Sequence, residues 1–376
     1  MNGVRCRRLA VMTVAAGVLL AGCVGAPQPA VGPSAGASAS PKTVLTLNPV
    51  DYGGVRVAVA AFSEPVEGRP VELQERTKSG WDVVASGSQD ASGRVEFHIP
   101  YSDTDYRAVA PATADGAHPA VETPSVNQSD EWKLGFNEGF DGSALATKYW
   151  SPRQTGSYTS TRQCSAPYPS GLKVTDGSLI GTVQAASAAR TLEVRSKAAA
   201  KLGVPVAQAC PYGVWDAAMV STEGKYAFRY GTVAVRAKFP TANGIHASAW
   251  LQSAQDRGVE IDFIETFGPK YGIQHKVHYK ENGKATSTGG YVKTLPQVKT
   301  DAWWNEYHVF SVEWSAEEYV FRVDGTETFR TRTGVSNSDE FIILSLLASD
   351  WELKRVDPTR MPATMAIDWF RVWQQK

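Results

Sequence analysis

Three acidic residues in one short segment form the part of the sequence best suited to chemistry. Glu260, Asp262 and Glu265 alternate with apolar residues over residues 258–265, a pattern typical of a β-strand. Side chains alternate along a strand, so Glu260 and Asp262 share one face while Glu265 would point to the other. A single β-bulge would return Glu265 to the face of the other two. We therefore predict three carboxylates on one face, with the intervening residues in the core: Ile261, Phe263 and Ile264.

Carboxylates that lie close together can act as the catalytic groups that break a glycosidic bond. Like charges held close together raise the pKa of at least one of them, which is what an acid catalyst at neutral pH requires. Glycoside hydrolysis needs one ionised carboxylate and one protonated carboxylic acid. The spacing is equally compatible with an amphipathic strand whose acidic face is solvated. The flanking sequence is therefore needed to distinguish a catalytic strand from a solvated one.

The rest of residues 126–376 reads as strands separated by turns. Asp324 and Gly325 between two strand-like runs indicate a hairpin turn. A helical pattern is weak and predicts only a turn, at residues 198–202. So many strands in one unit predict an all-β fold, a large sandwich in which one sheet bends into a cleft. The predicted strands lie near residues 179–183, 231–239, 247–251, 259–264, 276–279, 307–314, 319–323, 341–347 and 365–373.

A smaller strand-rich region precedes it, at residues 42–125. Period-two apolar patterns and Gly-containing turns predict a small β-sandwich of immunoglobulin or fibronectin-III type. Two roles remain open for it, a spacer or a carbohydrate-binding module, for which Trp81 and Tyr101 are the candidate sugar platforms. Residues 111–130 are rich in Ala, Thr, Pro and Ser and are predicted to be a linker.

The N-terminus has the features of an export signal. Arg5, Arg7 and Arg8 precede an apolar run at residues 9–21, which is too short to span a membrane stably. The run ends in Leu-Ala-Gly-Cys, which resembles a bacterial lipobox and predicts lipidation of Cys23; the alternative is an ordinary signal peptide. We predict a signal at 1–22, a flexible tether at 23–41, and a lipoprotein on the extracellular face of the cell membrane.

Cysteine usage and charge narrow the remaining choices. Cys164 and Cys210 are left as an even pair in an exported chain, which predicts a disulfide. The 38 basic and 38 acidic side chains balance, which argues against a nucleic-acid partner. No run of 18 or more apolar residues follows the signal, which argues against an integral membrane protein. We expect a monomer.

Taken with its flanks, the acidic strand resembles glycoside hydrolase family 16, the retaining β-glycanases with a β-jelly-roll fold. The resemblance covers residues 132–374 and includes the acidic strand in the variant that contains the bulge. Other matching segments occur in the same order as in the family: residues 136–142, 174–179, 226–238, 243–244, 249–251, 313–314, 323–325 and 367–373.

The resemblance implies a role for each matching residue. Glu260 would be the nucleophile, Glu265 the general acid/base, and Asp262 would tune the nucleophile. Trp250 would stack on a sugar, unless it is a core residue, and His278 would donate to a carboxylate or a sugar hydroxyl. Asn137 and Trp351 are the further substrate-binding candidates. The chemistry would need no cofactor, whereas a structural calcium would be held by the carboxylate of Asp368 with the backbone carbonyls of Glu138 and Gly177.

Two segments depart from the laminarinase pattern of the family, at residues 245–248 and 345–351. Both are expected to flank the cleft, so the catalytic assignment transfers more safely than the substrate. The candidates are β-1,3-glucan or mixed β-1,3/1,4-glucan, with a β-galactan as an alternative. Transglycosylation shares the glycosyl-enzyme with hydrolysis, and a non-catalytic glycan-binding lipoprotein is a further alternative, although a lectin has no need of the three carboxylates.

Overall fold

The computed structural model describes residues 42–154, 156, 159 and 161–376. Cys23 and the rest of the predicted signal and tether lie outside the described residues. Within the described part of the chain, no helix is long and apolar enough to cross a membrane.

Two small antiparallel sheets form the first part of the structure. One sheet has the order β1-β2-β5 and the other β4-β3-β6-β7. Their inward side chains, among them Leu47, Leu73 and Phe97, form one buried cluster. The two sheets therefore make a small β-sandwich, whose strands are β1 Val44–Leu47, β2 Val55–Ala61, β3 Pro70–Thr77, β4 Gly80–Ser88, β5 Arg94–Pro100, β6 Tyr106–Ala110 and β7 Val121–Glu122.

The segment predicted to be a linker is partly structured, so that prediction is wrong in its second half. Strand β7 pairs with β6, and Val126 exchanges two backbone hydrogen bonds with Tyr106, each 2.9 Å long. Thr123 is buried, and its hydroxyl accepts a hydrogen bond from the backbone N–H of Ala108. These apolar and β-branched residues pair with an edge strand despite the Pro-rich and Ser-rich composition around them.

The remaining strands build two large antiparallel layers. They are β8 Trp132–Glu138, β9 Ser151–Pro152, β10 Ser165–Pro167, β11 Leu172–Thr175, β12 Ser178–Ala185, β13 Trp215–Ser221, β14 Ala227–Phe228, β15 Gly231–Lys238, β16 His246–Ser253, β17 Glu260–Thr266, β18 Ile273–Glu281, β19 Lys284–Tyr291, β20 His308–Trp314, β21 Tyr319–Val323, β22 Thr326–Thr331, β23 Glu340–Leu347 and β24 Ala363–Gln375. The all-β prediction is confirmed.

Each layer has a continuous strand order. The first layer, the cleft sheet, runs β19-β18-β17-β16-β23-β13-β9. The second layer, the outer sheet, runs β22-β21-β20-β15-β24-β12-β11, with β8 also paired to β24. Side chains from the two layers interdigitate; the rings of Phe263 in the cleft sheet and Phe370 in the outer sheet are 6.0 Å apart, and both are fully buried.

Four α-helices lie between strands: α1 Gln128–Glu131, α2 Ala188–Leu202, α3 Asp301–Trp304 and α4 Asp350–Leu353. Short 3-10 helices occur at Pro169–Gly171, Val206–Gln208, Pro296–Lys299 and Pro358–Arg360. Helix α2 has fifteen residues, where the sequence pattern predicted one turn. Ser187 caps its N-terminus and Gly203, with φ of 67°, ends it. Its buried residues are Val194, Ala198 and Ala199, too narrow an apolar stripe to stand out in the sequence.

The small sandwich packs against the outer sheet through a buried interface. Val50, Tyr52 and Val57 of the sandwich share one apolar cluster with Val309 and Trp373 of the outer sheet. The Tyr52 hydroxyl is hydrogen-bonded to Ser311 at 2.7 Å.

A buried guanidinium adds a polar connection to this interface. Arg322 in β21 is fully buried and pairs with Glu96 of the sandwich at 2.8 Å and with Glu313 at 2.6 Å. Asn48 of the sandwich donates to the same Glu313. Because a buried guanidinium needs its partners, these contacts fix the sandwich to the outer sheet.

Candidate active site

A bulge in β17 brings the three acidic residues to one face, as the sequence predicted. Asp262 lies opposite Lys276 of β18 and Glu265 lies opposite Gln274, so two residues of β17, Phe263 and Ile264, face the single residue between them. The intervening side chains are fully buried in the core: Ile261, Phe263 and Ile264.

His275 is the residue of β18 that faces the bulge, and sequence reasoning missed it. Its Nδ1–H donates to the carbonyl oxygen of Phe263 at 2.8 Å, and its Nε2 lies 2.8 Å from the hydroxyl of Thr328. Burial lowers the pKa of His275 to about 4, so the ring is neutral at physiological pH. This buried imidazole satisfies a backbone carbonyl at the bulge and thereby supports the register that aligns the carboxylates.

The three carboxylates line a polar cavity of about 330 Å³ on the exposed face of the cleft sheet. The Glu260 side chain is 25% exposed and that of Asp262 8%, so both groups border water while lying largely inside the protein. The other lining residues are Arg153, Gln154, Arg162, Met219, His246, Ser248, Trp250, Gln252, Arg257, Glu265, His278, Ser345 and Leu347.

His278 is directed at two of the carboxylates. Its Nε2 lies 3.5 Å from Glu260 Oε1 and 3.4 Å from Asp262 Oδ2, because His278 is the cross-strand partner of Glu260. One nitrogen or oxygen atom from each of these three residues lies within 4.8 Å of the other two. Among the described residues, these three form the group whose spacing could hold a metal ion. The predicted proximity of His278 to a carboxylate is therefore present.

Burial and mutual repulsion shift the titration of this group. Burial, with the nearby charge of Asp262, raises the pKa of Glu260 to about 7, and the positive charge of His278 opposes that rise. Burial, with the charge of Glu265, raises the pKa of Asp262 well above its ordinary value. Two adjacent groups with raised pKa values can hold one proton between them near neutral pH.

Glu265 has a different environment from Glu260. The side-chain amide of Gln274, its cross-strand partner, donates a hydrogen bond to Glu265 Oε2. Among the described residues, the other carboxylate oxygen has no hydrogen-bond partner. Nearby, Nδ1 of His246 lies 2.8 Å from Glu352 Oε2, which joins β16 to α4.

The predicted substrate-binding residues fall in different places. Trp250 is half-buried, lines the cavity, lies opposite Asp262 and donates to Ser345 Oγ at 3.2 Å. Trp351 is 49% exposed on α4, with its ring 5.9 Å from that of Phe267. Asn137 does not lie in the cleft. It belongs to β8 of the outer sheet, where it accepts a hydrogen bond from Arg371, so its assignment to the substrate stays a prediction without structural support.

The one carboxylate predicted to bind calcium is already engaged within the protein, whereas the other two predicted donors are backbone carbonyls, of Glu138 and Gly177. The carboxylate of Asp368 pairs with Arg236 at 2.5 Å. The carboxylate of Glu138 accepts from the backbone N–H of Phe140 and from the indole of Trp150. Oxygen donors suit Ca²⁺, but the guanidinium already neutralises the one carboxylate assigned to the ion, so the arrangement does not fit a bound calcium. A calcium site at Asp368, Glu138 and Gly177 stays a prediction without structural support.

Several lining residues have no recognisable signal in the sequence. Arg153, Arg162 and Gln252 are separated from the acidic strand along the chain and reach the cavity only through strand order. Arg153 donates to Gln252 at 2.7 Å and pairs with Glu223. By contrast, the two segments that depart from the laminarinase pattern do flank the cavity, through His246 and Ser248 in one and Ser345 and Leu347 in the other.

The predicted disulfide is present and joins two loops of the large β-fold. Cys164 and Cys210 are bonded, with their Cα atoms 5.4 Å apart. The bridge joins the loop before β10 to the loop after α2.

The family of the chain follows from fold, site and comparison with known proteins. A two-layer jelly roll with a bulged strand of three carboxylates is the arrangement of a glycoside hydrolase. The model for Glycosyl hydrolases family 16 matches residues 182–371, half of the chain. The chain belongs to glycosyl hydrolase family 16.

Relatives and solved structures agree with this membership. The chain is 26% identical over 187 residues to glucan endo-1,3-beta-glucosidase A1 of Niallia circulans, covering 44% of this chain and 27% of that protein. It is 26% identical over 186 residues to a beta-glucanase of Rhodothermus marinus, covering 43% of this chain and 63% of that protein. The match thus spans from about a quarter to less than two thirds of these relatives.

Two solved structures show the same fold at low identity. The laminarinase from Rhodothermus marinus superposes with a TM-score of 0.50 at 20% identity, covering 65% of this chain and 98% of that one. SCLam, a non-specific endo-beta-1,3(4)-glucanase, superposes with a TM-score of 0.51 at 18% identity, covering 66% of this chain and 92% of that one.

Proposed function

We propose that this protein is a retaining, endo-acting glycosidase that cleaves a β-1,3- or mixed β-1,3/1,4-glucan. The observation that supports it most is the bulged strand, which presents Glu260, Asp262 and Glu265 together in a cavity on the cleft sheet. The fold alone would also be compatible with a lectin. Three carboxylates held close together and largely out of water repel one another and reduce the stability of the fold, and glycosidic bond cleavage is the function that requires them.

Glu260 acts as the nucleophile. Burial and the repulsion from Glu265 raise the pKa of Asp262 well above its ordinary value, and Asp262 in turn raises the pKa of Glu260, so the two carboxyl groups titrate as a coupled pair. His278, whose Nε2 lies 3.5 Å from Glu260 Oε1, lowers the pKa of Glu260 and so favours its ionised form. An ionised Glu260 attacks the anomeric carbon and forms a covalent glycosyl-enzyme.

Glu265 acts as general acid and then as general base. In the first step it protonates the glycosidic oxygen, so that the leaving sugar departs as an alcohol. In the second step it removes a proton from water, which attacks the anomeric carbon and releases Glu260. Gln274 holds one oxygen of Glu265 by hydrogen bonding, which orients the carboxyl group for both transfers.

The substrate assignment is supported by the names of relatives and by the cavity. The matched proteins of Niallia circulans and Rhodothermus marinus are named as a glucan endo-1,3-beta-glucosidase and a beta-glucanase. The half-buried indole of Trp250 provides an apolar face for a sugar ring beside Asp262. A β-galactan remains the alternative substrate because both departing segments line the cavity, and a transglycosylase remains the alternative reaction.

A panel of polysaccharides with chromatographic product analysis tests the proposed function. We expect wild-type protein to release a series of oligosaccharides from laminarin or mixed-linkage glucan, and Glu260→Gln to release none. Purified wild-type protein that binds these glucans while cleaving none of the panel would identify a glycan-binding protein instead.

The N-terminal segment and the small sandwich have proposed roles of their own. Cys23 is proposed to be lipidated, which would place the enzyme on the extracellular face of the membrane. We expect palmitate labelling of wild-type protein and its loss in Cys23→Ala; unchanged amount and location of that variant would exclude the anchor.

The immunoglobulin-like sandwich is proposed to be a spacer rather than a sugar-binding module. The guanidinium groups of Arg76 and Arg107 lie over the Trp81 ring at 5.1 and 4.6 Å from its centroid. Arg56 lies 4.3 Å over the ring of Tyr101. Both candidate sugar platforms therefore have a guanidinium 4.3 to 5.1 Å from the ring centroid, closer than the 5.8 Å between Arg153 and the ring of Trp250 in the catalytic cavity. Retention of the Trp81→Ala variant on a glucan affinity gel equal to that of wild type is the expected result, and a loss of retention would favour the sugar-binding role.

A further inference from the structure

The catalytic cavity contains three arginines, and one of them differs from the other two. Arg153 and Arg257 share Glu223, with nitrogen to oxygen distances of 3.2 and 2.5 Å. Arg162 lines the same cavity, yet within the described residues its guanidinium makes no hydrogen bond and no ion pair, and its Nε is buried without a partner. Within the described residues, Arg162 is thus a cation of the cavity without a direct counter-ion, and the carboxylates of Glu352, Asp350 and Glu265 act on it only from beyond ion-pair distance.

The backbone around Arg162 is held in place although its side chain is not. Asp350 accepts hydrogen bonds from the backbone N–H groups of Gln163 and Cys164, at 2.8 and 3.0 Å. The backbone N–H of Asp350 donates in turn to the carbonyl of Thr161 at 2.8 Å. The disulfide of Cys164 anchors the same segment. The fixed backbone keeps the Arg162 side chain at the wall of the cavity, so a ligand there would have only the side chain, and not the loop, to order.

The half-buried position of Arg162, whose Nε atom is out of contact with solvent, has an energetic cost that a ligand could offset. Removing a guanidinium from water without a hydrogen-bonded counter-group is unfavourable by several kcal/mol in general. Burial lowers the pKa of Arg162, and the carboxylates of Glu352, Asp350 and Glu265 oppose that shift from beyond ion-pair distance. The side chain stays a cation at any physiological pH, because free arginine loses its proton only in strong base.

We propose that Arg162 binds an oxyanion on the sugar unit that lies against Glu265, so that the substrate class is an acidic β-glycan. The planar guanidinium presents a fork of N–H donors that matches a carboxylate or a sulfate ester. Neutral sugars are commonly held by aromatic faces, and Trp250 is the aromatic residue among the lining side chains of the cavity in the described chain. This inference rests on the proposed glycosidase function and narrows its substrate.

One glucan in three forms tests the inference: neutral, partly oxidised to carboxylates at C6, and partly sulfated. We expect wild type to show about tenfold higher kcat/KM on one acidic form than on the neutral form, a modest value for a charge-assisted contact. The acidic form that is preferred identifies the anion. Added salt should weaken the preference, because the contact borders solvent.

Variants separate this role from a structural or catalytic one. Arg162→Gln should bring the ratio of kcat/KM on the acidic form to kcat/KM on the neutral form to about one, and Arg162→Lys should restore part of that ratio. Arg229→Gln, which removes an exposed arginine paired with Asp339 outside the cavity, should match wild type on all three forms.

Three results would overturn the inference: equal loss on neutral and acidic forms in Arg162→Gln, a wild-type preference for neutral glucan, or no preference at all. In each of these cases wild type still cleaves glucan, so the proposed function survives. Wild-type protein that cleaves none of the three forms would overturn the proposed function itself.

Discussion

Glu340 at the start of β23 makes the stability of this protein depend on pH in a calculable way. Its carboxyl group is fully buried, Oε1 accepts from Ser336 at 2.6 Å, and Oε2 has no partner among the described residues. Burial, with the charge of Glu260 as a contributor, raises the pKa of Glu340 to about 8. The unfolded chain releases this proton near the ordinary value of 4.5, whereas the folded protein keeps it until about pH 8.

The sign follows from the protons bound in each state. Between these pH values the folded protein binds one more proton than the unfolded chain, so raising the pH favours unfolding by about 1.4 kcal/mol per pH unit. At pH 7 the accumulated cost is about 3 kcal/mol at most. Glu340→Gln keeps an acceptor for Ser336 and removes the ionisable group, so the variant should equal wild type near pH 4.5 and exceed it increasingly toward pH 8.

Urea unfolding of wild type and Glu340→Gln at each pH from 4.5 to 8 measures this difference directly. Asp339→Asn is the matched control, because Asp339 is the exposed neighbour of Glu340, and it should leave the difference near zero throughout. A free-energy difference between Glu340→Gln and wild type that stays constant with pH would refute the reasoning, since the buried carboxyl would then titrate alike in both states.

Three further predictions follow from the site and the crosslink. Trp250→Ala should lower kcat/KM on glucan more than it lowers the melting temperature, and a variant that unfolds would show that Trp250 serves the core. His278→Ala should move the acidic limb of the kcat/KM profile to higher pH, because the charge of His278 lowers the pKa of Glu260. Asp262→Asn should move that limb to lower pH with an intact fold, because the charge of Asp262 raises the pKa of Glu260. Shifts of the same sign in the two variants would contradict the assignment of Glu260 as nucleophile. Replacing Cys164 and Cys210 by Ser should cost ~4 kcal/mol of unfolding free energy in the chain-entropy model, and an unchanged urea midpoint would contradict that.

Local patterns in the sequence were enough for the strands and for the acidic face. Period-two alternation predicted β17, and the need to align Glu265 with Glu260 predicted its bulge, because both depend on residues adjacent in the chain. Helix α2 was missed because only three of its fifteen residues are buried.

Contacts across the fold were not predictable in this way. Arg162, His275 and Gln274 act through strand order and loop anchoring, and a single lysine, arginine or histidine in a strand pattern is no signal of a site. Asn137 was assigned to the cleft although its strand joins the outer sheet. The docking of the small sandwich through Arg322 likewise depends on partners far apart in the chain.

Glu260 is the proposed nucleophile, and trapping the glycosyl-enzyme shows directly which carboxylate attacks the anomeric carbon. Wild-type protein incubated with an activated 2-deoxy-2-fluoro-β-glycoside of a short glucan should accumulate a covalent adduct, and digestion with mass spectrometry should locate the sugar on Glu260. Glu260→Gln should form no adduct. A sugar attached to Glu265, or wild-type turnover of glucan with inversion at the anomeric carbon and no adduct, would contradict the account.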